Sequence, residues 1–326
     1  MTHKILITGG AGYIGSHTVL AALEQGYEVA VIDNLSTGLR SAVPSDLRFY
    51  QEDVADKSKV SKILRDYRPD AVIHFAGSII VQESVENPLK YYKNNTAASL
   101  NLIDCCIGEK ISNFIFSSTA AVYGIAEKEK VAETDPLSPI NPYGHSKLMT
   151  EQLLADCAAA YDFNYTALRY FNVAGADKEL RAGQSTPNTT HLIKVACQCA
   201  LNPDRLMQVF GTDYATPDGT CIRDYIHVSD LAHAHIKALE YMFKHKVSST
   251  FNCGNGRGYS VKEILDSVQR VSGVKLNIQY TDRRAGDPPA LIANSQALQK
   301  QTDWTAQITQ IDDIVRTAFE WERKKI

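Results

Sequence analysis

Tyr143 and Lys147 are the side chains whose types and spacing best suit proton transfer. They lie four residues apart directly after Pro142, a favourable first residue of a helix, so a helix here places phenol and ammonium on one face. A free tyrosine has a pKa of about 10, and a nearby cation lowers that pKa toward the range of a general base. Thr119 ends an earlier apolar run, where its hydroxyl can hydrogen-bond a substrate oxygen. The alternative is an ordinary exposed Tyr–Lys pair on a helix.

A glycine-rich turn near the start of the chain has the pattern of a phosphate-binding loop. Gly9, Gly12 and Gly15 follow a short apolar run and open a helical pattern, and Gly10 completes the tighter G-x-G-x-x-G form. Glycines let the backbone turn tightly and approach a pyrophosphate, while the helix N-terminus supplies N–H donors. Asp33, at the end of the next apolar run, accepts hydrogen bonds from ribose hydroxyls and repels a 2′-phosphate. The pattern therefore predicts NAD rather than NADP.

Two acidic residues in this region have a plainer interpretation as well. Asp33 precedes Asn34, and an Asp-Asn pair is ordinary turn chemistry. Asp53 follows the third predicted strand, where it can contact adenine or cap the next helix. The glycine loop favours the NAD role for Asp33, whereas both roles stay open for Asp53.

The elements that must position these residues alternate between strand and helix patterns. The predicted strands lie at 4–8, 28–32, 47–50, 71–75, 113–117 and 165–170, and the predicted helices at about 13–25, 56–68, 91–109 and 142–161. Strands separated by helices form βαβ units with right-handed crossovers. The predicted fold class is α/β, a doubly wound parallel Rossmann sheet with a smaller C-terminal α/β substrate lobe.

The alternation changes after Asn172. Residues 174–190 are rich in Gly, Thr, Pro and Asn, and the later elements are shorter and mixed. The sequence therefore predicts two domains, a NAD-binding Rossmann domain over 1–173 and a substrate lobe over 174–326. A helix at about 229–244 is expected to pack back on the first domain, and residues 322–326 are expected to form a frayed, solvated helix end.

The composition favours a globular chain with no nucleic-acid or membrane partner. Hydrophobic residues make up 44% of the 326 residues, and a net charge of -3 gives no basic field. The longest mostly apolar stretch, 72–81, is far shorter than the ~20 residues that cross a bilayer. A strand pattern that starts by Lys4 leaves no room for a signal peptide, so a cytoplasmic location is expected.

Neither the cysteines nor the histidines have the spacing of a metal site. The seven cysteines contain no CxxC pair and are expected to be buried, reduced thiols. His233 and His235 point apart on a helix, so these two and His227 are expected to be structural or exposed. No metal is therefore expected.

A series of motifs resembles the extended short-chain dehydrogenase/reductase family, in its branch of nucleotide-sugar 4-epimerases, over about residues 4–320. The motifs are TGGAGYIGSH (8–17), DNLSTG (33–38), HFAG (74–77), YYKNN (91–95), FSSTAAVYG (116–124), PYGHSK (142–147), RYFNVAGA (169–176), DGTCIRDYIHV (218–228) and RRAGDP (283–288). Related branches carry Asp-Glu or a nearby Glu after the catalytic threonine, for elimination or decarboxylation. This chain has Ala120 and Ala121 there, so the resemblance implies oxidation and re-reduction alone.

The resemblance also implies which residues bind the two ligands. For NAD it implies, besides the glycine loop, Lys147, Tyr13, Ile14, Asp33, Asn34, Asp53, Val54, Phe75, Ala76, Asn94 and Phe171. For a UDP-sugar it implies Thr119, Tyr143, Asn172, His191, Leu192, Gln208, Phe210, Arg223, Arg284, Asp287 and Leu291. The guanidinium forks of Arg223 and Arg284 suit a diphosphate. Surface ion pairs with the nearby Asp224 or Asp287 are the alternative for these arginines.

Three positions decide the details of substrate binding. Thr190-His191-Leu192 stands where many members carry Asn-Asn-Leu on a uridine loop, which loosens the assignment of His191. Ile79 stands where some members place a Lys, which removes one contact to the nicotinamide ribose. Leu291 falls where the family places a side chain beside the sugar's 2-substituent. Leucine is shorter than Tyr and larger than Ser, so weak activity on N-acetylated UDP-sugars is expected, unless Leu291 packs in the lobe core.

The resemblance implies a redox-neutral, NAD-dependent interconversion of UDP-galactose and UDP-glucose by a homodimer. Tyr143 takes the 4-hydroxyl proton while hydride leaves C4 for NAD, and the 4-keto sugar turns about its diphosphate before hydride returns. The alternatives are a UDP-N-acetylhexosamine or dual-specificity 4-epimerase, a net dehydrogenase or reductase, and a non-enzymatic dinucleotide-sensing regulator. Such regulators usually lose the Tyr or the Lys, and this chain retains both.

Overall fold

The computed structural model describes residues 2–186, 189–283 and 287–325. The strands in these ranges are β1 Lys4–Thr8, β2 Glu28–Ile32, β3 Arg48–Tyr50, β4 Ala71–His74, β5 Asn113–Thr119, β6 Lys130–Val131, β7 Asn164–Tyr170, β8 Asn172–Ala174, β9 Met207–Phe210, β10 Ile222–His227, β11 Ser249–Cys253, β12 Gly258–Ser260, β13 Ile278–Thr281 and β14 Ala290–Ala293. The helices are α1 Tyr13–Glu24, α2 Lys57–Tyr67, α3 Val81–Glu86, α4 Pro88–Tyr91, α5 Ala98–Gly108, α6 Pro142–Ala160, α7 Leu192–Leu201, α8 Val228–His245, α9 Val261–Ser272, α10 Gln296–Thr302 and α11 Ile311–Lys324.

Local signals set the ends of several helices. The Asp56 carboxylate caps α2 by accepting from Lys59 N at 3.1 Å. Ser260 and Glu263 form a reciprocal capping box at the start of α9, and Gly273 ends that helix in the left-handed region. These ends fix where the connecting loops begin.

The large sheet has the strand order β11-β7-β5-β4-β1-β2-β3, and every pairing in it is parallel. The chain moves outward from β1 through β3, then crosses to β4 and moves outward in the other direction. The carboxyl ends of β1 and β4 therefore flank the point where the strand order reverses, which is where open α/β sheets bind ligands. The doubly wound parallel sheet predicted from the sequence is confirmed.

Helices cover both faces of this sheet, which is why its strands are largely apolar. Ile5 and Ile7 of β1 belong to one apolar cluster with residues of α1 and α8, and Leu6 belongs to a second cluster with residues of α2 and α5. Among the described helices, none combines the length and the apolar character needed to cross a lipid bilayer.

A smaller layer follows the large sheet. Its sheet has the order β12-β10-β14-β6, with β8 paired to β10, and β9 pairs with β13 beside it. Helices α7, α9 and α11 pack against one another around an apolar cluster that includes Ile193, Ile264 and Ile314. The two sheets are linked closely, because β8 follows directly on β7.

The large layer is discontinuous in sequence. Helix α8 packs on α1, and β11 forms the edge of the large sheet beside β7, although both follow residue 173. The division at 173 stays a prediction. We propose that residues 228–253 fold with 1–173 rather than with the remainder of the substrate lobe.

The end of α11 differs from the frayed, solvated end expected from the sequence. Glu322 is only 7% exposed, and its carboxylate accepts from Gln198 Nε2 at 3.0 Å. Lys325 donates to the carbonyl of Gln184 at 2.8 Å. Arg323, Lys324 and Lys325 are exposed as expected. The expectation was wrong for Glu322, because Gln198 of the neighbouring helix α7 hydrogen-bonds its buried carboxylate.

Candidate active site

The carboxyl end of β5 carries a row of hydroxyl residues. Strand β5 is buried up to its last residue because it lies between β4 and β7. Thr119 therefore lies at the carboxyl end of the sheet, where the strand stops. Thr119 Oγ1 accepts from Ala121 N at 3.1 Å and thereby caps the short 3₁₀ turn Ala120–Val122. The hydroxyl is thus held at a fixed position, 7% exposed.

The first turn of α6 brings Tyr143 against this turn. Asn141 caps the helix by accepting from Gly144 N at 2.8 Å, and Pro142 occupies the first helical position. A Cβ at Gly144 would lie 2.7 Å from Ala121 O, so glycine permits the close packing of helix on turn. The Tyr143 hydroxyl is hydrogen-bonded to Thr119 as a result.

Lys147 lies one helical turn further along α6 and is 4% exposed. Its Nζ donates to the carbonyl of Ser117 at 2.9 Å and lies 4.9 Å from the ring centroid of Phe116. Burial lowers the pKa of Lys147 to about 8, against the opposing effect of the Glu151 carboxylate.

The acid–base balance of Tyr143 differs from the sequence-based expectation. Burial raises the pKa of the Tyr143 hydroxyl, and the hydrogen bond with Thr119 lowers it. Lys147 does not lower the pKa of Tyr143 as expected. Its ammonium group donates to Ser117 O, and burial shifts the lysine itself toward the neutral form. The phenol is therefore neutral near pH 7 in the protein alone.

A buried ion pair connects α6 with β7, and a further hydrogen bond connects the same carboxylate with β5. Glu151, one turn beyond Lys147, accepts from Arg169 Nη2 at 2.6 Å and from Nε at 3.0 and 3.1 Å. Ser118 donates to the same carboxylate, and Arg169 Nη1 donates to the hydroxyl of Tyr123 at 3.0 Å. This network was not predicted from the sequence. The spacing of Glu151 from Lys147 on one helix face was the available signal.

A π-helical segment, Tyr92–Ala97, interrupts the predicted helix at 91–109 between α4 and α5. It presents Asn95, whose Oδ1 accepts from Ser78 N at 2.7 Å and whose Nδ2 donates to Ser146 Oγ at 3.0 Å. Asn95 thus joins the loop after β4 to the part of α6 that lies between Tyr143 and Lys147. Such π-bulges are frequent at functional sites, and sequence periodicity did not reveal this one.

The glycine loop after β1 has the shape expected of a dinucleotide cradle. Gly9 has a φ of +70°, and a Cβ there would lie 2.6 Å from Ala76 N in the loop after β4. A Cβ at Gly15 would lie 2.2 Å from Gly9 O. No side chain caps the N-terminus of α1 at Gly12, and no acidic residue occupies its first turn. The described residues therefore leave the N–H groups of this turn for an anion, which fits NAD.

Asp33 connects the two turns beside this cradle. Its carboxylate accepts from Ala11 N at 2.9 Å and from Leu35 N at 2.8 Å, and burial raises its pKa. Asn34 donates to Asp53 Oδ2 at 2.9 Å, while Asp53 Oδ1 accepts from Ala55 N at 2.8 Å. Asp33 thus has turn contacts as well as a position beside the glycine loop, so both interpretations of it remain compatible with the geometry.

The other predicted NAD residues surround the same edge of the sheet. Tyr13 donates to Gly175 O at 2.6 Å, and Asn94 Nδ2 donates to Ser78 Oγ at 2.9 Å. Phe75 and Ala76 are half-buried directly after β4. Ile14 lies in the first turn of α1, Val54 is buried beyond β3, and Phe171 follows β7. Their contacts with NAD stay predictions.

Apart from Thr119 and Tyr143, the predicted UDP-sugar residues come from the smaller layer and its junction with the large sheet. Asn172 begins β8 and Arg223 lies on β10, whose neighbour β14 places Leu291 beside Arg223. Arg223 Nη2 lies 3.4 Å from Asp287 Oδ1, so the ion pair weighed as an alternative does form. Asp224 instead accepts backbone N–H groups of residues 255, 256 and 293. The remaining predicted residues are His191 and Leu192 at the start of α7, Gln208 and Phe210 on β9, and Arg284, which lies outside the described residues.

Leu291 packs against the 3₁₀ turn Ala120–Val122 that follows Thr119, called the catalytic turn below. It is 9% exposed and shares an apolar cluster with Ala120 and Val122 of the 3₁₀ turn, with Phe171 packed against the cluster. The packing alternative therefore holds in part, although the cluster adjoins the catalytic turn. Its role as a sugar contact stays a prediction.

The histidines weighed as structural are held by local hydrogen bonds. His227 Nδ1 accepts from Ser229 N at 3.1 Å and caps α8, and His235 Nδ1 donates to Leu231 O at 2.8 Å. Across the described ranges, no three His, Cys, Asp or Glu side chains are grouped so as to hold a metal ion.

Comparison with known proteins places this chain in a family. Residues 5–254 match the model of the NAD dependent epimerase/dehydratase family. The UDP-glucose 4-epimerase of Azospirillum brasilense is 51% identical over 320 residues, which cover 98% of this chain and 92% of the relative.

Solved structures agree with the sequence match. The UDP-glucose 4-epimerase of Brucella ovis in complex with NAD superposes with a TM-score of 0.95 at 44% identity, covering 98% of both chains. The UDP-Glc/GlcNAc 4-epimerase of Campylobacter jejuni gives a TM-score of 0.87 at 46% identity, covering 99% of both chains. The chain therefore belongs to the NAD dependent epimerase/dehydratase family and, within it, to the UDP-glucose 4-epimerases.

Proposed function

We propose that this protein interconverts UDP-galactose and UDP-glucose in a redox-neutral, NAD-dependent reaction through a 4-keto sugar. The observation that carries the proposal is the hydrogen-bonded pair of Tyr143 and Thr119, with Lys147 buried one turn away, beside an uncapped glycine loop. The relatives named UDP-glucose 4-epimerase, one of them solved with NAD, support the same assignment.

The residues of the site divide the chemistry among them. To take the proton of the sugar's 4-hydroxyl and later return it, Tyr143 must be the phenolate, a form that the hydrogen bond with Thr119 favours and that the positive charge of a bound nicotinamide would favour further. Thr119 hydrogen-bonds the same sugar oxygen. NAD bound in the cradle would supply the acceptor, and later the donor, of the C4 hydride. Lys147 holds the carbonyl of Ser117 and so fixes the end of β5 relative to α6. Because the sugar must present both faces in turn, binding has to come from the UDP portion.

The residues beyond Thr119 favour epimerisation over elimination. Ala120 and Ala121 supply neither an acid nor a base. Glu151, the buried carboxylate behind Thr119, is bonded to Arg169 and Ser118 and so is not free to transfer protons. A dehydratase would need a carboxylate at the sugar, and the described residues of this turn provide none.

A UDP-sugar is proposed as the substrate because Arg223 of the smaller layer is linked through Leu291 to the turn that follows Thr119. Arg223 lies on β10 beside Leu291 of β14, and Leu291 in turn packs against the catalytic turn. A guanidinium only 17% exposed at this position suits a diphosphate oxygen. Its pairing with Asp287 supplies a partner that the diphosphate would displace or share.

The proposal is tested by incubating the purified protein with UDP-galactose and no added NAD. We expect UDP-glucose to form without net NADH, because NAD is retained through the cycle. Steady NADH release would instead indicate a dehydrogenase. Retained NAD with no turnover of any UDP-hexose would indicate a dinucleotide-sensing regulator.

We further propose that the protein is a homodimer. Apolar side chains are exposed on the adjoining helices α3 to α6, namely Val85 (60%), Leu89 (67%), Leu100 (47%) and Met149 (43%). Exposed apolar side chains on several adjoining helices are expected where those helices form an interface. Sedimentation equilibrium should give twice the chain mass, and Leu100→Glu with Met149→Glu should give the single-chain mass.

A cytoplasmic location is proposed on the state of the thiols. All seven cysteines are free in the described chain, and six of them are buried. Burial raises the pKa of Cys106, Cys197 and Cys253, which keeps these thiols protonated and unreactive. Cell fractionation that found the protein in an oxidising compartment would contradict the proposal.

A further inference from the structure

The carbonyl of Gln184, in the loop that precedes α7, accepts from three donors of other segments. Lys194 Nζ donates to it at 2.7 Å and Lys325 Nζ at 2.8 Å, and the indole Nε1 of Trp321 donates at 3.3 Å. Trp321 lies in the last turn of α11, Lys325 directly follows that helix, and Lys194 belongs to α7. A carbonyl oxygen has two lone pairs, so three donors use its full capacity to accept hydrogen bonds.

A buried carboxylate compensates the two ammonium groups. Glu322 Oε1 lies 2.9 Å from Lys325 Nζ and 3.7 Å from Lys194 Nζ, and Glu322 and Lys194 are both less than a tenth exposed. Burial lowers the pKa of Lys194, and Glu322 opposes that effect. Without Glu322 the two cations would be left close together in a poorly hydrated place.

A glycine allows this loop to lie directly on α11. A Cβ at Gly183 would lie 2.4 Å from the ring of Trp321, so any other residue there would push the loop away from the helix. The contact and the three hydrogen bonds act on adjacent residues, Gly183 and Gln184.

The side chain of Gln184 passes this constraint on to the start of α7. Its Nε2 donates to His191 Nδ1 at 2.8 Å and to Thr189 Oγ1 at 3.2 Å. His191 N in turn donates to Thr189 Oγ1 at 3.3 Å. The orientation of the His191 ring therefore depends on Gln184, and the main chain of Gln184 depends on Lys194 and the end of α11.

We propose that Lys325, Glu322 and Lys194 are positioning residues for UDP-sugar binding, which act by fixing Gln184 and through it His191. The inference rests on the proposed function, in which His191 contacts the UDP-sugar. It assigns to the last turn of α11 a role in substrate affinity, although that turn makes no catalytic contact. The chemical step at Tyr143 is not affected by this role.

The test compares Lys325→Met with a matched control, Arg323→Met, which removes an exposed cation from the same turn. We expect the KM for UDP-galactose and the Kd for UDP, measured by calorimetry, to rise roughly threefold to tenfold in Lys325→Met. The kcat and the retained NAD should stay at the wild-type level. Lys325→Arg, which keeps the charge, and Arg323→Met should both bind UDP with the wild-type Kd.

A second variant, Glu322→Gln, should raise the same two constants, because it leaves Lys194 and Lys325 without their carboxylate. A lower thermal midpoint with an unchanged UDP Kd in both variants would show a structural role only and would overturn the inference. Equal loss in kcat and unchanged KM would overturn it as well. UDP binding by the wild-type protein is measured first. If the wild-type protein did not bind UDP at all, the proposed function itself would fail, independently of the variants.

Discussion

At the scale of single residues, burial dominates the acid–base groups of the site. It raises the pKa of Tyr143 and lowers that of Lys147 to about 8, so each is shifted toward its neutral form. The hydrogen bond from Thr119 is the influence in the chain that favours the phenolate. Tyr143 and Thr119 therefore act as one unit, and removal of either hydroxyl should disable proton transfer.

Tyr143→Phe keeps the ring but removes the proton acceptor. We expect kcat for UDP-galactose to fall about 10²–10⁴-fold, the usual contribution of a positioned base. Binding of UDP should survive, because the ring still packs beside Tyr91. A variant that retained more than about a tenth of wild-type turnover would show that another group is the base.

Asp33→Ala combined with Asn34→Arg tests the choice of cofactor. The exchange removes the acceptor of the Ala11 and Leu35 N–H groups and places a cation where a 2′-phosphate would lie. We expect NAD content after purification to fall and discrimination against NADP to weaken. Asp66→Ala, an exposed aspartate of α2, is the control. Unchanged NAD content in the double variant would leave Asp33 as a turn residue.

Leu291→Tyr and Leu291→Ser test the breadth of sugar accepted. The side chain adjoins the catalytic turn at Ala120, so an added ring should exclude a 2-acetamido group, which must fit in both orientations of the sugar. We expect kcat/KM for UDP-N-acetylglucosamine to fall in Leu291→Tyr and to rise in Leu291→Ser. The values for UDP-galactose should change little. Parallel changes for both sugars would assign Leu291 to packing alone.

At the scale of elements, the position of α6 on β5 and β7 depends on the Glu151–Arg169 pair. Both side chains are 7% exposed or less, and the carboxylate bonds β5 through Ser118 and β7 through Arg169. Burial of such a pair adds little net stability, but breaking it leaves an uncompensated charge. The pair therefore fixes where α6 lies more than how stable the fold is.

Glu151→Gln should lower the free energy of unfolding by about 3–5 kcal/mol, measured by urea titration. Glu151→Leu with Arg169→Met removes both charges and should cost less than the single exchange. Asp104→Asn breaks an exposed pair with Lys57 and is the control, expected to leave the free energy of unfolding almost unchanged because solvent screens the pair. A loss in Glu151→Gln no greater than in this control would contradict the assignment.

Elements that depend on local sequence could be predicted, and those that depend on distant contacts could not. The glycine loop and the pairing of Tyr143 with Lys147 follow from spacings within one turn of chain. The addition of β11 to the large sheet depends on a pairing with β7 across a separate lobe. Tyr123 bonds Asn252, which is 129 residues away, and the carbonyl of Gln184 meets Lys325 141 residues on. Such contacts leave no periodic signal, and neither does the π-helical segment.

At the scale of the whole molecule, five buried histidines make stability depend on pH. Burial lowers the pKa of His17, His191 and His235 to about 4, and of His74 and His227 to about 3. In the unfolded chain they titrate near 6.5. Between about pH 4 and 6.5 the unfolded state therefore binds protons that the folded state does not, so stability present above 6.5 is lost as the pH falls.

The number of histidines that stay neutral in the folded protein sets the size of this dependence. Each histidine contributes a slope of up to about 1.4 kcal/mol per pH unit in that window. Asp224 opposes them, because burial raises its pKa to about 6 and the folded state then takes up the proton first. We expect the free energy of unfolding, from urea titrations at pH 7, 6 and 5, to fall steeply with acid. His235→Gln should reduce the slope by about one proton, since this ring is buried with Nε2 unpaired among the described groups. His145→Gln, on the surface of α6, is the matched control. A free energy of unfolding that stayed constant between pH 7 and 5 would mean that the histidines are charged in the folded protein. An equal slope in His235→Gln and His145→Gln would mean that His235 is charged in the folded protein.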